Sequence, residues 1–229
     1  MTAGAGGVPC TATKAWVCWG WVGDHRDLIA AAVRQHIELT VVAVAIGLLI
    51  SAPLSYLAWR RRRAAAVILS GTGILYTFPS LALFGFLIPF TGLTFTTAEI
   101  ALISYTLLVI IRNTLAGLDG VPEDVREAAR GMGLTPLQQL LRVELPLAIP
   151  TIMAGVRNAT VGTIGLVTVT ALITYGGVGT LILLGLQKDF RTPLVVGSAL
   201  SLLLAVVADL LLLGLQRLLT PWTRGAAAR

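Results

Sequence analysis

Residues 127–146 read EAARGMGLTPLQQLLRVELP, a polar stretch set between runs of hydrocarbon. It carries the signals of two short helices. Pro122 lies in a first helical turn and Glu123 and Asp124 add negative charge at that helix's positive end. Arg130 falls near the other end, and Gly131 and Gly133 stop the helix. Thr135 then serves as a second N-cap, with Pro136 at N1 and Gln138 at N3 completing a Thr-x-x-Gln capping box. This second helix is expected to run until Pro146. Ala128 and Ala129 are small and stand beside the charge of Glu127, so another protein's surface can approach the first helix closely. The plainer alternative is an ordinary capped loop.

Working outward, the chain has 229 residues, of which 56% are hydrophobic and 12% charged. That charged share is about half of the roughly 25% found in soluble domains, and several apolar runs reach the roughly 20 residues needed to cross a bilayer as a helix. The composition points to an all-α integral membrane protein. The net charge of +6 reflects arginines that hold loops on one side of the membrane, not a nucleic-acid partner. Residues 1–35 form a lead-in on the external side. It has no basic n-region and is therefore expected to stay on the mature chain. Trp16, Trp19 and Trp21 suit a headgroup-level anchor, and residues 24–35 a short amphipathic surface helix.

Five spans are expected, at about 36–59, 65–90, 98–115, 147–173 and 193–219, with the insert 117–146 between the third and fourth and a tail at 220–229. The first ends in Arg60-Arg61-Arg62-Arg63, which favours the cytoplasm under the positive-inside rule. Arg112, Arg126, Arg130 and Arg142 then fall on the same side as this cluster and the tail arginines. The N-terminus is accordingly expected outside and the C-terminus and insert in the cytoplasm of a cell membrane.

Within the spans, Pro79 follows Tyr76-Thr77-Phe78, so the second span should kink or unwind. The break serves either packing or a gate, for which Tyr76, Phe78, Pro79, Tyr105 and Thr163 are the candidate pathway residues. Arg157 and Asp209 are ionisable groups inside spans four and five and either pair or snorkel to the interface. Gly155, Ala159 and Gly162 make a small-residue stripe for helix packing. Tyr175, Gly176, Gly177 and Gly179 lie in an external glycine-rich stretch, 174–192, of which 175–179 is a poor helix interior. Cys10 and Cys18 fall in the external lead-in, where a disulfide is chemically permitted, but their spacing does not decide whether one forms. No catalytic residue or metal site is expected, because His25 and His36 stand in or near the lead-in without a ligand or nucleophile constellation.

Glu127-Ala128-Ala129, Gly133 and Val143-Glu144-Leu145-Pro146 together resemble the EAA loop of permease subunits of binding-protein-dependent ABC importers, with valine in place of the usual isoleucine. The order of five spans around the insert resembles the methionine-importer type of permease fold (a type I ABC importer permease). This resemblance implies that the insert is a coupling helix seated in a separate ATPase, with Glu127, Ala128, Ala129, Gly133, Leu145 and Pro146 as coupling residues. It also implies a second permease subunit, an ATPase dimer and an external binding protein as partners, with membrane lipid around the bundle. The glycine-rich stretch Tyr175–Gly179 resembles the external loop that meets the binding protein. The chain has no G-x-x-x-x-G-K-[ST] phosphate loop. It is therefore expected to bind no cofactor and to act as a transport subunit, with ATP and magnesium on the partner. His36–Thr40, Phe78–Leu83 and Arg126–Pro146 resemble permeases for quaternary-amine osmoprotectants such as glycine betaine, choline, carnitine and proline betaine. A permease for methionine or another amino acid, and a motor-free secondary transporter or channel, are the rival readings.

Overall fold

The computed structural model of the chain describes residues 16–173 and 175–224. They form helices α1 Trp19–Asp24, α2 Arg26–Arg60, α3 Arg62–Thr77, α4 Ser80–Thr91 and α5 Phe95–Asp119. These are followed by α6 Glu123–Gly131, α7 Pro136–Gln139, a π-helical stretch Leu140–Glu144, α8 Leu145–Val169, α9 Gly179–Gln187 and α10 Arg191–Leu219. Among the described residues, α2, α5, α10 and the continuous run from Pro136 to Ile173 are long and apolar enough to cross a membrane. The α3–α4 pair makes a fifth span if its two arms are taken together.

Each boundary has a local cause. Between Arg26 and Gly47 there is neither glycine nor proline, so the surface helix expected over 24–35 does not stop but continues into the first span as α2. The second span breaks between Thr77 and Ser80, where Pro79 takes φ −59° and ψ 131°, and the two arms bend by 96°. Proline removes a donor and pushes its neighbour out of the helical region, which accounts for the break. At the end of α4, Gly92 adopts φ +71° and its carbonyl accepts the Thr97 hydroxyl at 2.5 Å, which turns the chain into α5.

Helix α7 does not end at Pro146 as expected. It passes through the π-helical stretch, in which the Leu145 amide donates to the Leu140 carbonyl, and joins α8 with Pro146 in the first turn. The wider π register opens the ladder where proline has no N–H to give. The stretch 174–192 contains the nine-residue helix α9, which begins only at Gly179, at the end of the glycine-rich 175–179.

The Cα trace divides into two compact units. One comprises residues up to Ala43, Phe78–Ile103 and Val161–Val207. Its core joins Cys18, Trp21, Ala32, Val178, Leu181 and Phe190. Trp21 is buried there, stacked on His25 with centroids 4.4 Å apart and meeting the Phe190 ring edge-on. It is therefore a core residue and not the interfacial anchor expected; Trp16 and Trp19 remain exposed. Cys18 is disulfide-bonded and its amide donates to the Thr192 hydroxyl at 3.0 Å; Cys10 lies outside the described residues.

The other unit comprises Val44–Thr77, Ser104–Thr160 and the chain from Ala208 onward. Here α2, α5 and α8 approach closely at small residues. A Cβ on Gly155 would overlap Asn113 Cβ and stand 2.9 Å from its Cγ, and one on Gly117 would come within 3.0 Å of the Ala148 carbonyl. Ala159 is buried, whereas Gly162 faces open space, so the expected stripe packs only at Gly155 and Ala159. Leu202, Leu203, Leu210 and Leu211 of α10 are exposed, an apolar face suited to lipid.

Candidate functional site

Helix α6 starts after Pro122, which takes the capping position and not the first turn, and carries Glu123 and Asp124 in its first turn and Arg130 in its last. Arg130 Nη2 lies 2.5 Å from Glu123 Oε1, and Arg126 Nη1 lies 3.4 Å from Glu123 Oε2, bracketing two turns of one helix face. The two guanidinium groups, Arg130 foremost, hold the Glu123 carboxyl below its ordinary 4.5. The helix ends as the glycine pattern demands: Gly133 has φ +77° and its amide returns to the Arg130 carbonyl at 2.9 Å. Both bonds of the next capping box are formed, Gln138 N–H to Thr135 Oγ1 at 3.4 Å and Thr135 N–H to Gln138 Oε1 at 2.9 Å.

The insert has two faces. Glu127, Ala128 and Gly133 are exposed, and close to them in sequence Met132, Leu137 and Leu141 show 72%, 58% and 54% of their surface. Ala129 is different. It is completely buried within the chain, so it seats α6 from beneath and offers no surface to a partner. Leu145 and Pro146 are half-buried at the start of α8. Underneath, Leu118, Leu140 and Ala148 form a small core with Trp59 and Ile152.

One feature of this region escapes motif reading. Glu144 is 1% exposed; its Oε1 accepts a bond from Gln139 Nε2 at 2.7 Å and its Oε2 lies 3.7 Å from Arg126 Nε. Arg126 also donates from Nη2 to the Leu118 carbonyl at 2.6 Å, in the last turn of α5. Trp59, Glu123, Arg126, Arg130, Pro136, Gln139 and Glu144 line a cleft of about 210 Å³. A glutamate bordered by Val143 and Leu145 signals burial in sequence, but its partner, 18 positions upstream, is set by the helix turn between them.

The remaining candidates divide between the units. In the unit that holds the insert, the Tyr76 and Tyr105 rings meet edge-on at 5.9 Å, and Arg157 grips Asp209 in a two-pronged pair, Nε to Oδ1 and Nη2 to Oδ2, both at 2.8 Å. Phe78, Pro79 and Thr163 belong to the other unit, where Phe78 is exposed, Pro79 caps α4 and Thr163 is buried.

That second unit also contains the glycine loop. Gly177 has φ +51°, and a Cβ there would stand 2.5 Å from His36 Cβ and 2.9 Å from His36 N. Its amide donates to Gln35 Oε1 at 3.0 Å, and the Val178 amide donates to His36 Nδ1 at 3.4 Å. Acceptance at Nδ1 assigns the imidazole proton to Nε2, on the side of the Ile164 backbone. Gly176 is buried against Ala171, Gly179 opens α9 against Thr168, and the Thr170 hydroxyl meets the Tyr175 carbonyl. Tyr175 also stands edge-on to Phe95 at 6.1 Å, and one turn along from Phe95, Glu99 is buried.

Comparison with known proteins accords with this architecture. The family model described as "Binding-protein-dependent transport system inner membrane component" matches residues 43–225. The osmoprotectant import permease protein OsmW of Salmonella typhimurium is 39% identical over 203 residues, 86% of this chain and 94% of that protein. The choline transport system permease protein OpuBB of Bacillus subtilis is 39% identical over 188 residues, 82% of this chain and 86% of its own length. Among solved structures, a chain of the methionine ABC transporter MetNI in an inward-facing form aligns with a TM-score of 0.73 at 22% identity, over 86% of this chain and 98% of that one. That likeness establishes the fold as that of a type I ABC importer permease. With the family model spanning most of the chain and relatives near 40% identity across it, the protein belongs to the binding-protein-dependent transport system inner membrane components.

Proposed function

We propose that this chain is the permease subunit of an ATP-driven importer for quaternary-amine osmoprotectants, and that the exposed face of α6 is where a separate ATPase pushes on it. The observation that carries the reading is the two-faced insert. Glu127, Ala128 and Met132 stand out on a helix whose underside is anchored by Ala129 and the core beneath it. A protruding rim on a rigid base is what a partner needs in order to move the spans behind it. Arg60–Arg63 and the arginines of the insert support a cytoplasmic position for this surface, with the N-terminus outside. The substrate class follows the relatives, whose names specify osmoprotectants and choline.

The working assembly has two permease subunits, this chain and an identical or related one, with two ATPase subunits that carry ATP and magnesium. An external binding protein delivers the solute, and the loop at Tyr175–Gly179 is its landing site. No step of ATP chemistry belongs to this chain. Its own contribution is to keep α6 in contact with the spans and to gate the path between them.

Glu127→Lys tests the coupling role. The variant should insert in the membrane at normal levels while uptake of labelled glycine betaine falls at least tenfold; normal uptake would remove the coupling role from α6. Substrate class is tested separately, since deletion of the gene should abolish betaine uptake and spare methionine uptake. The reverse pattern would assign the cargo to the amino-acid class.

A further inference from the structure

We propose that Arg126 and Glu144, with Gln139 beside them, form the joint through which displacement of α6 reaches α8, so that Glu144 is a positioning residue for transport. The proposal rests on the coupling reading of α6 and adds the route by which motion leaves that helix. Arg126 is the one side chain of α6 that the structure ties to three separate pieces of the protein: Glu123 of its own helix, the Leu118 carbonyl at the end of α5 and Glu144 at the entry to α8. A cation at the negative end of α5 is favourable in itself. Its reach to Glu144 then links the third span, the insert and the fourth span through one guanidinium group.

Two independent features set this pair apart from ordinary surface charge. First, burying a carboxylate costs several kcal/mol unless it is paired and hydrogen-bonded, and an apolar pair of similar volume is often at least as stable. A glutamate that is 1% exposed is therefore a poor choice for packing alone. It is suited to a directional contact. Second, Glu144 closes the π-helical stretch Leu140–Glu144. A π stretch interrupts the regular i to i−4 ladder and recurs at functional positions; here it puts a compliant turn at the point where the charge contact enters α8. The contact also has room to tighten. Arg126 Nε and Glu144 Oε2 are both buried, lie 3.7 Å apart and have no hydrogen bond to any described residue. Closure to the roughly 2.7–2.9 Å of a charge-assisted bond is favourable, so a small shift of α6 toward α8 is met by attraction rather than by collision.

The test uses the complete transporter in proteoliposomes, with its ATPase and binding protein, and reads two quantities together: ATP hydrolysed and betaine taken up. Glu144→Gln keeps the volume and an acceptor for Gln139 while removing the charge. It should assemble with the ATPase and hydrolyse ATP within about twofold of the wild type, while uptake per ATP falls about tenfold. Arg126→Gln should do the same. A wild-type ratio of uptake to hydrolysis in Glu144→Gln overturns the proposal, and so does a loss of uptake that only matches the loss of assembled complex, because a purely structural residue leaves the ratio unchanged. If Glu144→Gln does not accumulate, the ratio is read in Arg126→Lys, which keeps the charge but not the planar fork. An intermediate ratio supports the joint, and a wild-type one overturns it. Glu127→Lys serves as the reference: if it uncouples and the joint variants do not, only the joint is wrong, whereas normal coupling in Glu127→Lys defeats the reading on which the joint depends.

Discussion

The loop at Gly177 and the insert at Glu127–Pro146 solve the same problem, holding an irregular segment against a long helix, by opposite means. The loop is held by shape and by backbone amides. Gly177 and Val178 donate to Gln35 and His36, and the chain passes so close to His36 that only a glycine fits at position 177. The insert rests on the small core beneath Ala129 and is tied by charge, with Arg126 and Arg130 bracing Glu123 within α6 and Arg126 reaching Glu144 and the end of α5. A steric lock has one good position and resists displacement, while flexible ionic arms keep contact through small shifts. The contrast fits the roles proposed for them, a loop that presents a fixed surface and an insert that transmits movement.

The sharpest way to break this comparison is Gly177→Ala. The substitution meets both a left-handed φ of +51° and a Cβ 2.5 Å from His36, costs that together come to roughly 2–5 kcal/mol. The purified variant should unfold at a clearly lower temperature in detergent and lose uptake. An unchanged melting curve would show that the loop is not sterically locked. On the charged side, Arg157→Asp should impair assembly less severely, since both partners are one-quarter to one-third exposed, and adding Asp209→Arg should restore part of the loss. The two-pronged geometry at 2.8 Å fixes the orientation of this pair; if the doubly reversed protein is no better than the single variant, direct pairing does not matter for assembly.

What could be read from the sequence follows the range of the interactions. Thr135, Pro136, Gln138 and Gly133 act on neighbours within three or four residues, so their arrangement was open to inspection before any fold was known. The 96° break at Pro79 has the same local origin. Glu144 required knowledge of where α6 folds back, because its guanidinium partner is fixed by the turn at Gly133 and not by any period. Ala129 was readable as small but not as inward-facing, since an exposed and a buried alanine look alike until the helix is docked. Trp21 was misplaced for a related reason. An indole suits the membrane interface, but the Val178–Phe190 segment that covers it lies more than 150 residues away. Helix α9 was hidden by the glycines before it, which break the chain only at 176–178 and leave Gly179 to open a new helix against Thr168.

A smaller effect is expected from Thr135→Ala, which deletes one half of the capping box at a cost of about 1 kcal/mol. Amide exchange should quicken at Gln138 and its neighbours while the Arg126–Glu144 contact survives. Exchange that spreads to α8 would mean that cap and joint are a single cooperative unit, which blurs the division between them.

The smallest expected effect is that of acid on α6, and it bears directly on the claim that the insert is tied by charge. Arg130, and then Arg126, keep the Glu123 carboxyl ionised below its ordinary 4.5. A carboxylate whose folded value is depressed contributes stability above its unfolded value and loses that contribution as pH falls through the folded one. Between pH 8 and 5 the contribution is fully present, so amide exchange within α6, corrected for its intrinsic pH dependence, should show constant protection. Below about 4.5 protection should fall, and Glu123→Gln should show the lower level across the whole range. The Gly177 amide donates to the carboxamide of Gln35, which does not titrate, so protection of Gly177 should change less over the acid interval than that of α6. A loop that loosened in step with α6 would show that the two modes of attachment are not separate after all.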